Sequence, residues 1–289
     1  VGSEMCIRDS WYVNPSPWWL QYVNSIWLQN SGDIGFAENI QGQSKLDSEI
    51  TYRDARYFNL LNTRAVQMPL KHIYNHEPIY GNHAKVQYTD EEFEKYIYFD
   101  VARGQALNEL HLSYTMMNKS KWRTLAKAIE WQKNNYNVLQ NAMFIGGNPE
   151  ENNVYGYFSW NENGDGIIAL RNPTDEKAPL TLTLNKLMGC PKDLKDVKRY
   201  NVYNLSNKES YDSYSYGDKI DLTLQPFEVK IFQFGKEDKR YPNGEAVTDF
   251  TISFNYKGEE NIEIAHNDDI DISAVSYTHL RAHETAANL

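Results

Sequence analysis

The chain has 289 residues, 41% of them hydrophobic, with 29 Lys and Arg against 39 Asp and Glu for a formal net charge of −10. That length can bury one large core or two modest ones, while an acidic surface disfavours nucleic-acid backbones and anionic membranes, which need clustered Lys and Arg. No stretch of about 18 apolar residues is present to span a bilayer, so neither a nucleic-acid partner nor membrane insertion is expected.

Val1–Ser10 (VGSEMCIRDS) and, at the other end, Val275–Thr285 (VSYTHLRAHET) carry no hydrophobic period that would seat them on a packed element. When the first is back-translated as GTG GGC TCG GAG ATG TGT ATA AGA GAC AG, the opposite strand encodes VSYTHLRAH, which is Val275–His283. Two segments that encode each other's complementary strand are what a transposon-based sequencing adapter leaves at both ends of a short insert. Residues 1–10 and 275–289 are therefore expected to be adapter-derived and are set aside, with Cys6, His279 and His283. Cys190 is then the single cysteine, and no internal disulfide is expected.

From Pro15 to about Val23, prolines followed by aromatic and aliphatic residues suit a helix start. Ser25–Leu28 predicts a short buried strand, Gln29–Phe36 a loop rich in glycine and small polar residues, and Tyr52–Leu61 a helix by the spacing of Tyr52, Ala55, Tyr57 and Leu60. A second round follows, with a strand over Gln67–Ile73, a loop through His76 to His83, and a helix over Asp90–Ala102 opened by Thr89 and an acidic first turn. The third has a strand at Leu107–Leu112 and a helix over Lys119–Leu139, with Trp122, Leu125, Ala126 and Ile129 as its apolar stripe. Three consecutive strand-loop-helix units imply a parallel sheet, with chemistry in the loops that follow the strands.

From Val154 the chain changes character. VYGYFSW, GIIALRN, LTLTL, KRYNVYNL, KIDLTL and EVKIFQF, separated by turn signals, predict an antiparallel β-sandwich. GKEDKRYPNGE then suits a linker, and the alternation of Phe250, Ile252, Phe254 and Tyr256 suggests a further β-module. Asn161-x-Asn163-x-Asp165-Gly166 imitates a calcium loop, but Asn172 stands where a bidentate Glu is needed, so a hairpin turn explains it better. Asn118-Lys-Ser120 and Asn204-Leu-Ser206 fit the glycosylation pattern, with a helix cap and a turn as the simpler explanations. His72, His76 and His83 do not form a metal set here, because the first two share a face only on a helix and no H-E-x-x-H phrase occurs.

The phrases SPWWLQYVNSIWLQNSGDIGF, TYRDARYFNLL, MPLKHIYNHEPIYG and VYGYFSWNENGDGIIALRNPT resemble the α-galactosidase (melibiase-like) clan of retaining glycoside hydrolases, over most of residues 11–235. The resemblance implies an α/β plus all-β fold: the C-terminal portion of a (β/α)8 TIM barrel, its last three βα units, over 11–141, then an antiparallel β-sandwich over 142–235. A linker and the start of a truncated β-rich module would occupy 236–274. It also implies a carbohydrate substrate, no cofactor, a secreted or periplasmic location, and a chain that is a fragment of a larger enzyme.

Retaining hydrolysis needs two carboxyl groups about 5 to 5.5 Å apart across the sugar. The resemblance puts the acid/base after the sixth barrel strand, in a W-x-x-S-D-like phrase matched by Trp27 to Asp33. Asp33 is the acid/base candidate, although WLQNSGD has extra residues between Trp and Asp, and a turn-stabilising role is the alternative. The clan's nucleophile lies in a K-x-D phrase ending the fourth strand, and Lys45-Leu46-Asp47 is rejected for it as part of a polar loop without strand signal. The region that would hold the nucleophile is therefore expected to be missing, leaving the fragment inactive alone. Trp27, Arg53, Arg56 and His76 are the substrate-binding candidates, with a solvated or ion-paired helix face as the alternative for the two arginines. Trp18 and Trp19 are expected to pack the barrel wall. Glu109 and His111 share one strand face, pointing either to the barrel mouth or to the core. A non-catalytic carbohydrate-binding or surface protein on the same scaffold is the alternative function.

Overall fold

The computed structural model describes residues 17–28, 32, 34–38, 41–61, 68–81, 87–202, 210–240, 251–252 and 264–265. The two ends set aside above, Asp33, His83 and Asn204 lie outside these. The chain divides into two units, Val1–Gly244 and Glu245–Leu289.

The first unit opens with strands and helices in the expected order. β1 (Ile26–Trp27) pairs in parallel with β2 (Ile73–Tyr74), Trp27 opposite Tyr74. β3 (Ile79–Tyr80) pairs in parallel with β4 (His111–Leu112), Ile79 opposite His111. Helices α1 (Lys45–Leu61), α2 (Asp90–Val101) and α3 (Lys119–Asn134) follow β1, β3 and β4. The expectation of one run of three parallel strands is corrected in one respect: among the described residues these strands make two separate parallel pairs.

Local chemistry explains where the helices begin. Thr89 and Glu92 form a reciprocal capping box, with Glu92 N donating to Thr89 Oγ1 at 3.1 Å and Thr89 N to Glu92 Oε2 at 2.8 Å. Asn118 caps α3 by accepting from Lys121 N at 2.8 Å, as the cap explanation of its glycosylation-like motif expects. α1 starts seven residues before the predicted Tyr52, because Ser44 Oγ accepts from Asp47 N at 3.1 Å and donates to the Asp47 carboxylate at 2.7 Å. Lys45-Leu46-Asp47 is therefore helical rather than loop. The helix predicted to run to Leu139 breaks at Asn135, whose side chain donates to Trp131 O at 2.9 Å and accepts from Gln233 Nε2 at 2.6 Å. A short α4 (Tyr136–Leu139) resumes beyond it. Near the chain start, a 3-10 turn at Pro17–Gln21 replaces the expected helix, and another at Leu70–His72 interrupts the strand predicted over Gln67–Ile73, following a proline that has no N–H to give a ladder.

The all-β part has β5 (Met143–Gly146), β6 (Tyr155–Trp160), β7 (Gly166–Arg171), β8 (Ala178–Thr183), β9 (Val197–Asn201), β10 (Ser210–Tyr214), β11 (Lys219–Leu224) and β12 (Val229–Gly235). Six of them form one antiparallel sheet in the order β10-β9-β12-β7-β6-β5, and β8 pairs with β11 in a second. The β6–β7 hairpin turns on Asn161, whose side-chain oxygen accepts from Asn163 N and Asp165 N, both at 3.0 Å, so the calcium-like motif is a turn.

β6 and β7 are buried on both faces, for a reason visible in their alternation. Tyr155, Tyr157, Ile167, Ala169 and Ile231 join a core with α1, α2 and α3, while Phe158, Trp160, Ile168, Leu170, Phe232 and Phe234 join a second core under β8 and β11. The large sheet is thus the middle of three layers, and the α/β region shares a continuous core with it. In the second unit, β13 (Thr251–Ile252) and β14 (Ile264–Ala265) pair antiparallel.

Candidate functional site

Open α/β sheets bind ligands outside the carboxyl ends of their parallel strands, and several chemically active side chains collect beyond the carboxyl ends of β1 and β2. Trp27 closes β1, and His76 lies two residues past β2. His111 begins β4, and Glu109 precedes it by two. The Trp27 and His76 rings lie 3.9 Å apart between centroids, tilted by 53°, and the His76 and His111 rings lie 4.9 Å apart, edge to face. His76 Nδ1 is hydrogen-bonded to Glu109 Oε2, and His111 Nε2 lies 3.6 Å from the same oxygen. The side chains of His76, Glu109 and His111 are 26%, 17% and 40% exposed, so the cluster is sheltered but reachable from solvent. Two imidazoles and a carboxylate can hydrogen-bond hydroxyl groups, and an indole face can stack on a ring.

The loop carrying His76 is fixed from beneath by a buried ionic network. His76 sits between Asn75 and Glu77, both fully buried. Asn75 Oδ1 accepts from Glu77 N at 2.8 Å, and Asn75 Nδ2 donates to Tyr57 OH at 3.1 Å. The Glu77 carboxylate accepts from Arg53 Nε at 3.0 Å and from Arg103 Nη1. Arg103 also bonds Asp100 and, through Nε at 2.9 Å, Asp54. Asp54 in turn accepts from Tyr155 OH at 2.6 Å and Tyr157 OH at 2.5 Å, tying α1 to β6. Arg171 of β7 completes the tie, donating to Thr51 Oγ1 at 2.8 Å and to Asp47 O at 2.9 Å.

So many charges in a dry interior do not all stay ionised. Burial, joined by repulsion from Glu77 and Asp54 and opposed by Arg103, pushes the Asp100 carboxyl up to about 7. Glu49, which accepts from Tyr88 OH at 2.6 Å, is raised from 4.5 to about 7 by burial first and by the Glu77 charge second. The folded state therefore binds the Glu49 proton more tightly than the unfolded chain does. The stability this supplies is present in full below about 4.5 and is lost as pH rises through about 7. Glu49→Gln, which needs no proton, is expected to match the parent at pH 5 and to exceed it at pH 8 by up to roughly 3 kcal/mol. Urea unfolding at the two pH values checks this, and equal stability of the two proteins at pH 8 would show that the fold does not raise the Glu49 carboxyl.

Of the predicted site residues, the structure brings Trp27 and His76 together and adds Glu109 and His111 from the strand face that the sequence left open between mouth and core. Arg53 is buried at 1% exposure and faces Glu77 rather than solvent, and Arg56 lies elsewhere, 3.3 Å from Glu150 and over the Tyr52 ring. Asp33 lies outside the described residues. Trp18, expected to pack a barrel wall, is 73% exposed, and the Trp19 side chain is not described. His72 Nδ1 bonds Asn24 O at 2.7 Å and takes no part in the cluster. The partnership of His76 with Glu109 joins residues 33 apart in sequence, so no local spacing could announce it. A shallow depression of about 420 Å³ over β8 and β11 has Asp221 as its only ionisable lining group, already bonded to Thr181, and offers no comparable chemistry.

No family model matches the chain, and no match is found among curated proteins. Among solved structures it is similar to an α-galactosidase from Saccharomyces cerevisiae bound to raffinose, at 13% identity and a TM-score of 0.46, over 74% of this chain and 59% of that one. It is also similar to α-galactosidase I from Mortierella vinacea, at 14% identity and a TM-score of 0.43, over 74% of this chain and 53% of that one. A GH27 β-L-arabinopyranosidase from Geobacillus stearothermophilus is similar at 11% identity and a TM-score of 0.43, over 78% of this chain and 47% of that one. The chain thus spans about half the length of the structures it matches.

Proposed function

We propose that this chain carries one side of a glycoside hydrolase active site, the last three βα units of a TIM barrel with its β-domain, and that the complete site belongs to a longer protein. The observation that carries the reading is the gathering of Trp27, His76, Glu109 and His111 where β1 and β2 end. An indole face beside partly exposed hydrogen-bonding groups suits a sugar ring, which offers an apolar face and a rim of hydroxyls. Asp33, six residues after Trp27 in the sequence, is assigned the acid/base role. It protonates the leaving oxygen and then activates water, while a second carboxylate across the sugar serves as nucleophile. That nucleophile is not Asp47, which sits in α1 bonded to Lys95 at 2.7 Å and facing Arg171.

The test uses an aryl α-galactoside and the longer gene product, with this chain alone as the control that shows no turnover. Asp33→Asn in the longer protein is expected to lower kcat by about 10²- to 10⁴-fold. Azide should restore turnover of a substrate with a good leaving group, because it replaces the water that Asp33 would activate. An unchanged kcat would remove Asp33 from the mechanism, and sugar binding without any turnover would assign the scaffold to carbohydrate binding alone.

A further inference from the structure

His76, Glu109 and His111 bring three potential ligand atoms together at one point. Both imidazoles direct a nitrogen at one carboxylate oxygen, and the three donor atoms lie within 4.8 Å of one another. The His111 Nε2 to Glu109 Oε2 separation is 3.6 Å, too long for a hydrogen bond. It is instead the spacing of two ligands that share an ion, since bonds of about 2.0–2.2 Å in tetrahedral or octahedral arrangement set ligand atoms roughly 2.8 to 3.6 Å apart.

We propose that His76 Nδ1, the Glu109 carboxylate and His111 Nε2 bind one divalent first-row transition-metal ion, with its remaining coordination positions open to water or a ligand. The donor set selects the metal. Two imidazole nitrogens and one carboxylate suit Zn²⁺ and its neighbours, whereas Ca²⁺ and Mg²⁺ need about six oxygen ligands. The placement favours an ion that exchanges with solvent: the three side chains are partly exposed. The ligands are also held in advance. His76 is flanked by the buried Asn75 and Glu77, and His111 N donates to Pro78 O at 3.0 Å, locking the two ligand-bearing segments together. Seating the ion needs the His76 imidazole and the Glu109 carboxylate to part slightly, which a rotation of the terminal carboxylate torsion supplies at little cost. The proposal rests on donor geometry and stands whether or not the chain binds a sugar.

Trp27 provides a local reporter, since its ring lies 3.9 Å from that of His76. The chelator-treated protein is titrated with Zn²⁺ by calorimetry and with Co²⁺ by visible absorption and tryptophan fluorescence. The expected result is one ion per chain, a ligand-field band of low-symmetry Co²⁺ and quenching that Trp27→Phe removes, none of it displaced by millimolar Ca²⁺ or Mg²⁺. His111→Ala and Glu109→Gln, both at partly exposed positions, are expected to weaken binding by at least about tenfold while leaving the circular dichroism spectrum unchanged. Absence of binding to the folded protein, or parent-like affinity in both variants, would overturn the site. The second outcome would place the ion elsewhere.

Discussion

Replacing Arg103 with Met is expected to destabilise the protein by about 3–5 kcal/mol, the range observed when one partner of a buried ion pair is removed. Arg103 is fully buried and is the common partner of Asp54, Glu77 and Asp100. Without it, three carboxylates face one another in a region that water does not reach. Some relief comes from proton uptake, Asp100 being already raised to about 7, so the loss should be smaller at pH 5 than at pH 8. Domains of this kind have only about 5–15 kcal/mol of stability in total, and reduced soluble yield is part of the expected result. Equilibrium urea unfolding at the two pH values measures it. Arg103→Lys should recover only part of the loss, since an ammonium cannot reproduce the fork that reaches three acceptors. A loss below about 1 kcal/mol would mean that the carboxylates are neutral in the fold and that the network is held by hydrogen bonds rather than by charge. The same network holds Glu77, so a mild Arg103 variant should also loosen His76 and lower the metal affinity proposed above.

Trp131→Ala is expected to cost about 3–5 kcal/mol, as large aromatic truncations in packed cores do. Trp131 is fully buried on α3, packs against Tyr98 of α2, and donates from Nε1 to Gln233 of β12 at 3.2 Å. Because it touches both the helical layer and the large sheet, its loss should shift the helical signal at far-ultraviolet wavelengths and the aromatic signal of the sheet together. Coincident transitions are the expected outcome for both parent and variant, since one core spans the two layers. A variant in which the helical signal melts first while the sheet persists would divide the unit at the boundary that the resemblance implies near residue 142.

The fold was legible where a segment carries its own instructions. Thr89 with Glu92, and Asn118 before a helix, announce α2 and α3 because the capping partners are three residues apart. The paired runs of β6, β7 and β12 are rich in apolar and aromatic residues, and the Asn163-Gly164-Asp165-Gly166 signal marks the hairpin between the first two. The Ser44 to Asp47 cap was equally local and could have placed the start of α1, but the polar segment around it masked the signal. β5 was missed because Met143–Gly146 is only four residues long and earns its strand geometry by pairing with β6.

The candidate site divides along the same line. Trp27, His76 and Arg53 stand out through the resemblance, which implies pocket positions for them in its phrases. Only the tertiary structure shows that Arg53 turns inward to Glu77, and that, among the described residues, Glu109 and His111 rather than His72 share the space around His76.

By itself the sequence determined the succession of strands and helices, the acidic surface and the change from α/β to all-β character. Those follow from the period of apolar residues, from caps, and from net charge, which are properties of neighbouring residues. The tertiary structure decided which charges are buried, that the large sheet lies between helices and a smaller sheet, and that two histidines and a glutamate meet at the end of β2. These depend on contacts between segments tens of residues apart, and the free energy of such a contact exists only once the chain has brought both partners to the same place.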